Sequence, residues 1–178
     1  MQDLQDQAIR QHCKALRVPT IGSQFARLAE TATREGQSHV GYLEALLAAE
    51  MEERESRAIT RLLREAKLPR MKTLDAFEFE RSSVSAAQLR TLAEGDYVAK
   101  AEPILLVGEA DTGKTHLATG LCVAACRQRR RVRFTTATGL INELAEAAHA
   151  NQLSRALARW ERLDLICIDE LGYVPLAD

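Results

Sequence analysis

The segment Ile104-Leu105-Leu106-Val107-Gly108-Glu109-Ala110-Asp111-Thr112-Gly113-Lys114-Thr115 has the residue types and spacing of a phosphate cradle. An apolar run leads into G-x-x-x-x-G-K-T, the Walker A pattern, and a helical pattern follows; that context turns a short motif into a site. The glycines at 108 and 113 let the backbone turn so that consecutive N–H groups point inward, and the positive end of the next helix adds to the nest. In a cradle running from Gly108 through Glu109, Ala110, Asp111 and Thr112 to Gly113, Lys114 would reach the β and γ phosphates as a point charge. The Thr115 hydroxyl would be a ligand of Mg²⁺. His116 follows as a helix residue near the phosphates rather than a catalyst. The plain alternative is a glycine turn between strand and helix with an ordinary surface lysine.

A nucleotide site needs a second carboxylate source for its magnesium, and the apolar run Leu165-Ile166-Cys167-Ile168 ends in Asp169-Glu170. Strand ends gather at one edge of a parallel sheet. Asp169 would therefore hold the magnesium, directly or through water, and Glu170 would orient and polarise the attacking water. Alone, an acidic pair after a buried strand is as often a solvated strand end. The stretch from Thr115 to Asp169 has room for helix, strand and helix, and together the two signals support each other.

The elements that must position these groups are legible in outline. Helices are predicted at Asp3–Leu16, from about Gly22 to Glu35 with Gly36 closing it, and from Ser38 as N-cap through Lys67 before Pro69. In the third, Met51, Ala58, Ile59, Leu62, Leu63 and Ala66 share a packing side, and Arg54, Arg57, Arg61 and Arg64 form a basic stripe. Residues 71–85 read as a linker with Phe77 and Phe79 as docking points, separating a helical N-terminal region, 1–70, from a nucleotide-binding core, 86–178. A helix from Ala86 to Tyr97 precedes strands at Ile104–Val107, Val132–Thr135 and Leu163–Ile168, alternating with helices at Lys114–Gln128, Thr138–His149 and Ser154–Glu161. That alternation implies an α/β fold, a parallel sheet with helices on both faces. Trp160 and Leu157 are expected to pack against the sheet.

Composition sets bounds but not partners. Of the 178 residues 46% are apolar and 28% charged, an ordinary mixture for a globular chain able to bury a core. With 24 basic against 25 acidic side chains, a grip on nucleic acid has to come from a local patch. Two are available: the α-helical arginine stripe, which Glu52, Glu53, Glu55 and Glu65 could neutralise, and Arg127, Arg129, Arg130, Arg131 and Arg133, where a helix gives way to a strand. Cys122 and Cys126 read as small core residues rather than metal ligands, and Cys13 and Cys167 supply no second close pair. No apolar run has the length of a signal sequence core or a membrane span, so the cytoplasm is the expected address.

GEADTGKTHLATGL, RVRFTTATGLINEL and LDLICIDELGYVPL resemble the IstB family, ATPase helpers of a bacterial transposase related to the helicase loader DnaC. The upstream LLAAEMEERESRAITRLLREAKLPRMKTLDAFEF is similar to the family's helical N-terminal region and linker; the likeness runs from about Val18 onward. Its most specific parts are K-T-H-L and D-E-L-G-Y-V-P-L, Asp169 to Leu176. The resemblance implies an AAA+ ATPase that uses ATP and Mg²⁺, assembles with copies of itself on double-stranded DNA, recruits a transposase and is released by hydrolysis. By the same resemblance Gly108, Gly113, Lys114 and Thr115 bind phosphate and magnesium, Asp169 serves the metal and Glu170 activates water. Two other readings are a helicase loader, distinguished by which partner the N-terminal helices capture, and a non-catalytic DNA or protein interaction module with an idle nucleotide site. A small-molecule P-loop kinase fits less well, because no acceptor site is visible.

Two departures from the family pattern shape expectations. Family members continue with a further strand, a polar sensor and an arginine finger; the added strand lies between those of the P-loop and the Asp-Glu pair. The chain is accordingly expected to be C-terminally truncated and impaired in hydrolysis. The second departure is Asp111, where a glycine is commonest: aspartate tolerates a left-handed backbone but, with Glu109, repels a triphosphate. Asp111→Gly is therefore expected to tighten ATP binding in a calorimetric titration.

Overall fold

The computed structural model describes residues 2–79 and 84–173, so residues 80–83 of the linker and the last residues of the Asp169–Leu176 motif lie outside the description. The chain divides into two compact units, Met1–Ala58 and Ile59–Asp178. The division falls within the third helix.

In the first unit α1 spans Gln2–Leu16, α2 spans Pro19–Glu35, and α3, His39–Glu65, begins. Pro19, expected to separate two helices, instead opens α2 at its first position, three residues earlier than the expected Gly22 start. The physical reason is that proline's fixed φ suits a first turn, where its missing N–H has no partner to lose. Gly36 closes the helix in the left-handed conformation as expected, and the Ser38 hydroxyl accepts from Gly41 N at 3.1 Å at the start of α3.

Val18 provides no side-chain cap for α2. The first-turn amides are met from α3: Glu50 Oε2 accepts from Thr20 N at 2.8 Å and Ile21 N at 3.2 Å, while its Oε1 accepts from Arg54 Nε at 2.8 Å. Arg54 also donates to Arg17 O at the end of α1. Glu50 is only 4% exposed, so this carboxylate ties α2 to α3 inside the unit. Met51, expected on the packing side, is 71% exposed; it stands about 100° round the helix from Glu50 and so faces solvent.

In the second unit the last turns of α3 bring Leu62 and Ala66 against Cys122, Ala125 and Cys126 of α6, Lys114–Arg127, and against Val132 and Phe134 of β1, Val132–Thr136. Phe134 N donates to Ala66 O at 2.8 Å, extending that contact into the backbone. β1 pairs in parallel with β2, Leu165–Asp169, so that Val132 faces Leu165 and Thr136 faces Asp169. The crossover contains α7, Ala137–His149, whose start is capped by Thr136 Oγ1 accepting from Gly139 N at 3.0 Å, and α8, Leu153–Trp160. These elements lie within two residues of expectation and confirm the α/β class.

Several expectations fail here for identifiable reasons. Ala86–Tyr97 is two helices, α4 Ala86–Ala93 and α5 Asp96–Ala99, because Gly95 turns left-handed at φ 81°. Ile104–Val107 is not a strand: among the described residues the sheet is β1 and β2 alone, and a strand exists only where a neighbour offers its backbone groups. The segment keeps the alternation of extended chain, with Ile104 and Leu106 packed on Leu89, Leu117 and Leu121, and Leu105 and Val107 76% and 83% exposed. Likewise Ile166 and Ile168 are about two-fifths exposed, so the described residues cover β2 on one face rather than two. Leu157 is also exposed, whereas Trp160 is half-buried beneath the Arg133 guanidinium, 5.8 Å from its ring centre.

Phe77 and Phe79 dock as expected, packing with Leu74 against Leu89, Leu117 and Leu121. Leu74 opens a 3₁₀ turn, Leu74–Ala76, and lies so close to α6 that a Cβ at Gly120 would collide with its Cδ2. Glycine in mid-helix weakens the helix itself, and here it is what lets the linker touch the helix backbone.

Burial alone would push the Glu50 carboxyl up, but hydrogen bonds from Arg54, Ile21 and Thr20 outweigh it and hold it below the usual range. A depressed folded-state value gives stability that is present above the unfolded value, about 4.3, and is lost as pH falls through the lower folded value. Glu50→Gln is expected to lower stability near neutral pH by about 1–3 kcal/mol and to flatten the acid limb of the Tm–pH curve, checked by calorimetry.

Candidate phosphate-binding site

α6 is buried along most of its length, at Leu117, Thr119, Leu121, Cys122, Val123, Ala125 and Cys126, yet its N-terminus opens to solvent. Its N-cap, Gly113, has no side chain to occupy the first-turn amides, which leaves them for a ligand. Gly113 sits at φ 87°, and an added Cβ would be 2.8 Å from Phe77 Cε2. Both conformation and space restrict this position to glycine. Asp111 is left-handed too, at φ 58°, so it adopts the geometry for which its tolerance was anticipated.

Within the loop, Lys114 Nζ donates to Gly108 O at 2.8 Å and to Glu109 O, and it lies 3.5 Å from Thr112 Oγ1. Thr112 Oγ1 in turn donates to Glu109 O at 2.9 Å. The ammonium is thus folded over the loop it belongs to, at the mouth of a cavity of about 270 Å³ lined by Lys72, Asp111, Gly113, Lys114, Thr115 and His116. Glu109 and Ala110 are exposed along the outer course of the loop.

Parallel pairing carries the end of β2 to the same place. Thr115 Oγ1 donates to Asp169 Oδ2 at 2.9 Å across 54 positions of sequence. The other oxygen, Asp169 Oδ1, accepts from Glu170 N at 3.0 Å, and Glu170 itself turns left-handed at φ 59°. A hydroxyl and a carboxylate meeting beside a lysine are the hard oxygen donors that Mg²⁺ takes with phosphate, so Thr115 and Asp169 fit that ion. Among the described residues no group of three or more His, Cys, Asp or Glu forms a protein-only metal site.

His116 points away from the role of catalyst. Its Nε2 is 2.9 Å from Thr73 O, and its ring meets Phe77 edge-on at 5.2 Å. It joins the phosphate loop to the linker. Lys72, next to Thr73, was not singled out from the sequence; neither its type nor its spacing marks it, because its place depends on how the linker docks.

Several members of the two arginine groups are engaged in ion pairs. Arg54, Arg57 and Arg61 pair along α3 with Glu50, Glu53 and Glu65. Arg131 N and Nε donate to Asp164 Oδ2 at 2.6 and 3.4 Å, and Arg133 pairs with Glu143 at 3.5 Å. The backbone and side chain of Arg131 together hold the Asp164 carboxyl below its usual range. The neighbouring Cys167 thiol and burial push the Cys122 thiol up, while the Cys122 thiol holds Cys167 down.

Fold and loop together define an α/β protein built around a P-loop. The family model described as IstB-like ATP binding protein matches residues 11–178, and the chain belongs to that family. It is 41% identical over 161 residues to an insertion sequence ATP-binding protein of Sinorhizobium fredii, covering 89% of this chain and 54% of that protein. The ATP-binding proteins of insertion sequences IS5376, from Geobacillus stearothermophilus, and IS21, from Pseudomonas aeruginosa, are 32% and 31% identical. Those matches cover 94% and 90% of this chain and 67% and 61% of the relatives, so the chain spans between about half and two thirds of their length. No helix among the described residues is long and apolar enough to cross a membrane.

Gly113→Ala should destabilise the second unit by about 1–3 kcal/mol, the range for forcing a side chain into a left-handed position. Thermal unfolding checks the loss, and faster amide exchange at Leu74–Phe77 would show the linker lifting.

Proposed function

We propose that the chain is an ATP-binding helper of DNA transposition, of the AAA+ type, which couples nucleotide binding and hydrolysis to DNA binding and transposase recruitment. The observation that carries this is the 2.9 Å bond from Thr115 Oγ1 to Asp169 Oδ2 beside Lys114, in a chain of the IstB-like family. It supports a single centre for triphosphate and metal where the sequence has two separated motifs. The names of the relatives, which are ATP-binding proteins of insertion sequences, support the transposition context.

In this centre Lys114 exchanges the carbonyls of Gly108 and Glu109 for phosphate oxygens, and the open amides of the α6 first turn take further phosphate oxygens. Thr115 and Asp169, which share a hydrogen bond, would hold Mg²⁺ through their oxygens, and the ion, when bound, would supply positive charge against the charge that develops on the transferring phosphoryl group. Glu170, adjacent to Asp169 and exposed, holds and polarises the water that attacks the γ phosphate.

DNA is gripped through phosphates. Arg57 and Arg61 are exposed and, among the described residues, pair with glutamates of their own helix; such pairs contribute little, so both can exchange a glutamate for a DNA phosphate at small cost. Affinity for duplex DNA is then expected to fall steeply with salt. Self-association in the ATP state and contact with the cognate transposase complete the proposed cycle.

The test is nucleotide titration of the full chain. Lys114→Ala is expected to weaken ATP by at least about tenfold, the loss of a charge-assisted contact. Asp169→Asn should remove the magnesium dependence of binding, and Glu170→Gln should retain ATP while abolishing phosphate release. Wild-type affinity in the Lys114→Ala protein would overturn the proposal.

A further inference from the structure

We infer that Lys72, a residue of the linker, is a second cationic contact for the nucleotide phosphates and makes linker docking part of the nucleotide site. This rests on the reading of the P-loop as that site.

Lys72 lines the phosphate cavity together with Asp111, Gly113, Lys114, Thr115 and His116, although it is 41 positions before Gly113, 113 less 72. Its backbone is fixed there by its neighbours. Thr73 O is 2.9 Å from His116 Nε2, one residue past the P-loop threonine. Leu74 lies in the notch left by Gly120, and Phe77 covers Gly113 closely enough to exclude a Cβ. Three contacts, at the N-cap Gly113 and at His116 and Gly120 in the first two turns of α6, therefore hold Thr73–Phe77 along the helix, and Lys72 follows Thr73 toward its open end.

Charge gives this placement a purpose. The loop brings two acids, Glu109 and Asp111, and Asp111 lines the cavity that a polyphosphate would enter. Lys114 is the cation expected there, and a single ammonium faces both the loop carboxylate and the phosphates. Lys72 adds the positive charge that offsets Asp111, on a long flexible side chain whose ammonium can reach a phosphate oxygen. A polyphosphate held by Lys114 from the loop and Lys72 from the linker is bound from two segments of chain, so the site is complete only while the linker is docked.

The experiment measures ATP affinity of the full chain by calorimetry for the parent, Lys72→Met, Lys72→Arg and Lys114→Ala, at low and high salt. Lys72→Met is expected to weaken ATP by about five- to tenfold, with an unchanged Tm because the side chain is exposed. Lys72→Arg should stay within about twofold of the parent, and the gap between parent and Lys72→Met should narrow as salt screens the contact. Parent affinity in Lys72→Met, with binding lost in Lys114→Ala, overturns the role of Lys72 and leaves the P-loop reading standing. Parent affinity in Lys114→Ala removes the reading on which it rests. A loss equal in Lys72→Met and Lys72→Arg, unaffected by salt, also overturns it, since that is the signature of disturbed docking rather than a missing charge.

Discussion

α6 must be buried along its flanks and open at its tip. The first condition is met by four sources: the end of α3, both strands, α4 and the linker all pack on it. Its inward residues divide accordingly, with the small Cys122, Ala125 and Cys126 on the side of the sheet and the larger Leu117 and Leu121 on the side of the linker. The second condition is met by Gly113, which starts the helix without offering a side-chain acceptor to its first amides. An amide cluster fixed by so much packing has little freedom to collapse, and this is what makes it a lasting place for an anion.

The parallel register of β1 and β2 does the rest. Pairing Thr136 with Asp169 sets the end of β2 level with the start of α7 and brings its carboxylate to Thr115. A slip of one residue would turn Asp169 to the other face of the sheet and break the bond. The hydrophobic alternation of β2, with Leu165 and Cys167 inward, opposes such a slip. Core packing and the placement of a charged group thus depend on one backbone alignment.

Much of this was legible in local chemistry. The loop from Gly108 to Thr115, the acidic pair at 169 and 170, the left-handed tolerance of Asp111 and the docking of Phe77 and Phe79 follow from residue type and spacing. What could not be read depends on residues far apart in sequence. Pro19 and Gly95 each allow both continuation and a break, and only the packed structure selects one. Ile104–Val107 has the composition of a strand, but pairing is a property of its neighbours. Nothing in the local sequence separates Glu50 from the other charges of its helix, though it serves the amides of another helix 30 positions away. Lys72 and Thr73 acquire meaning from Gly120 and His116, and a linker read alone contains neither.

Lys114 already has acceptors in Gly108 O and Glu109 O. Under the proposed function, arrival of a triphosphate would therefore be a partner swap, in which bonds to carbonyls are given up as bonds to phosphate are made. The heat released on that side chain is the difference between the two sets, and the ammonium needs little further immobilisation when the guest comes. A measured enthalpy for the site consequently understates the strength of the new contacts, while its entropy carries the benefit of a side chain that was ordered beforehand.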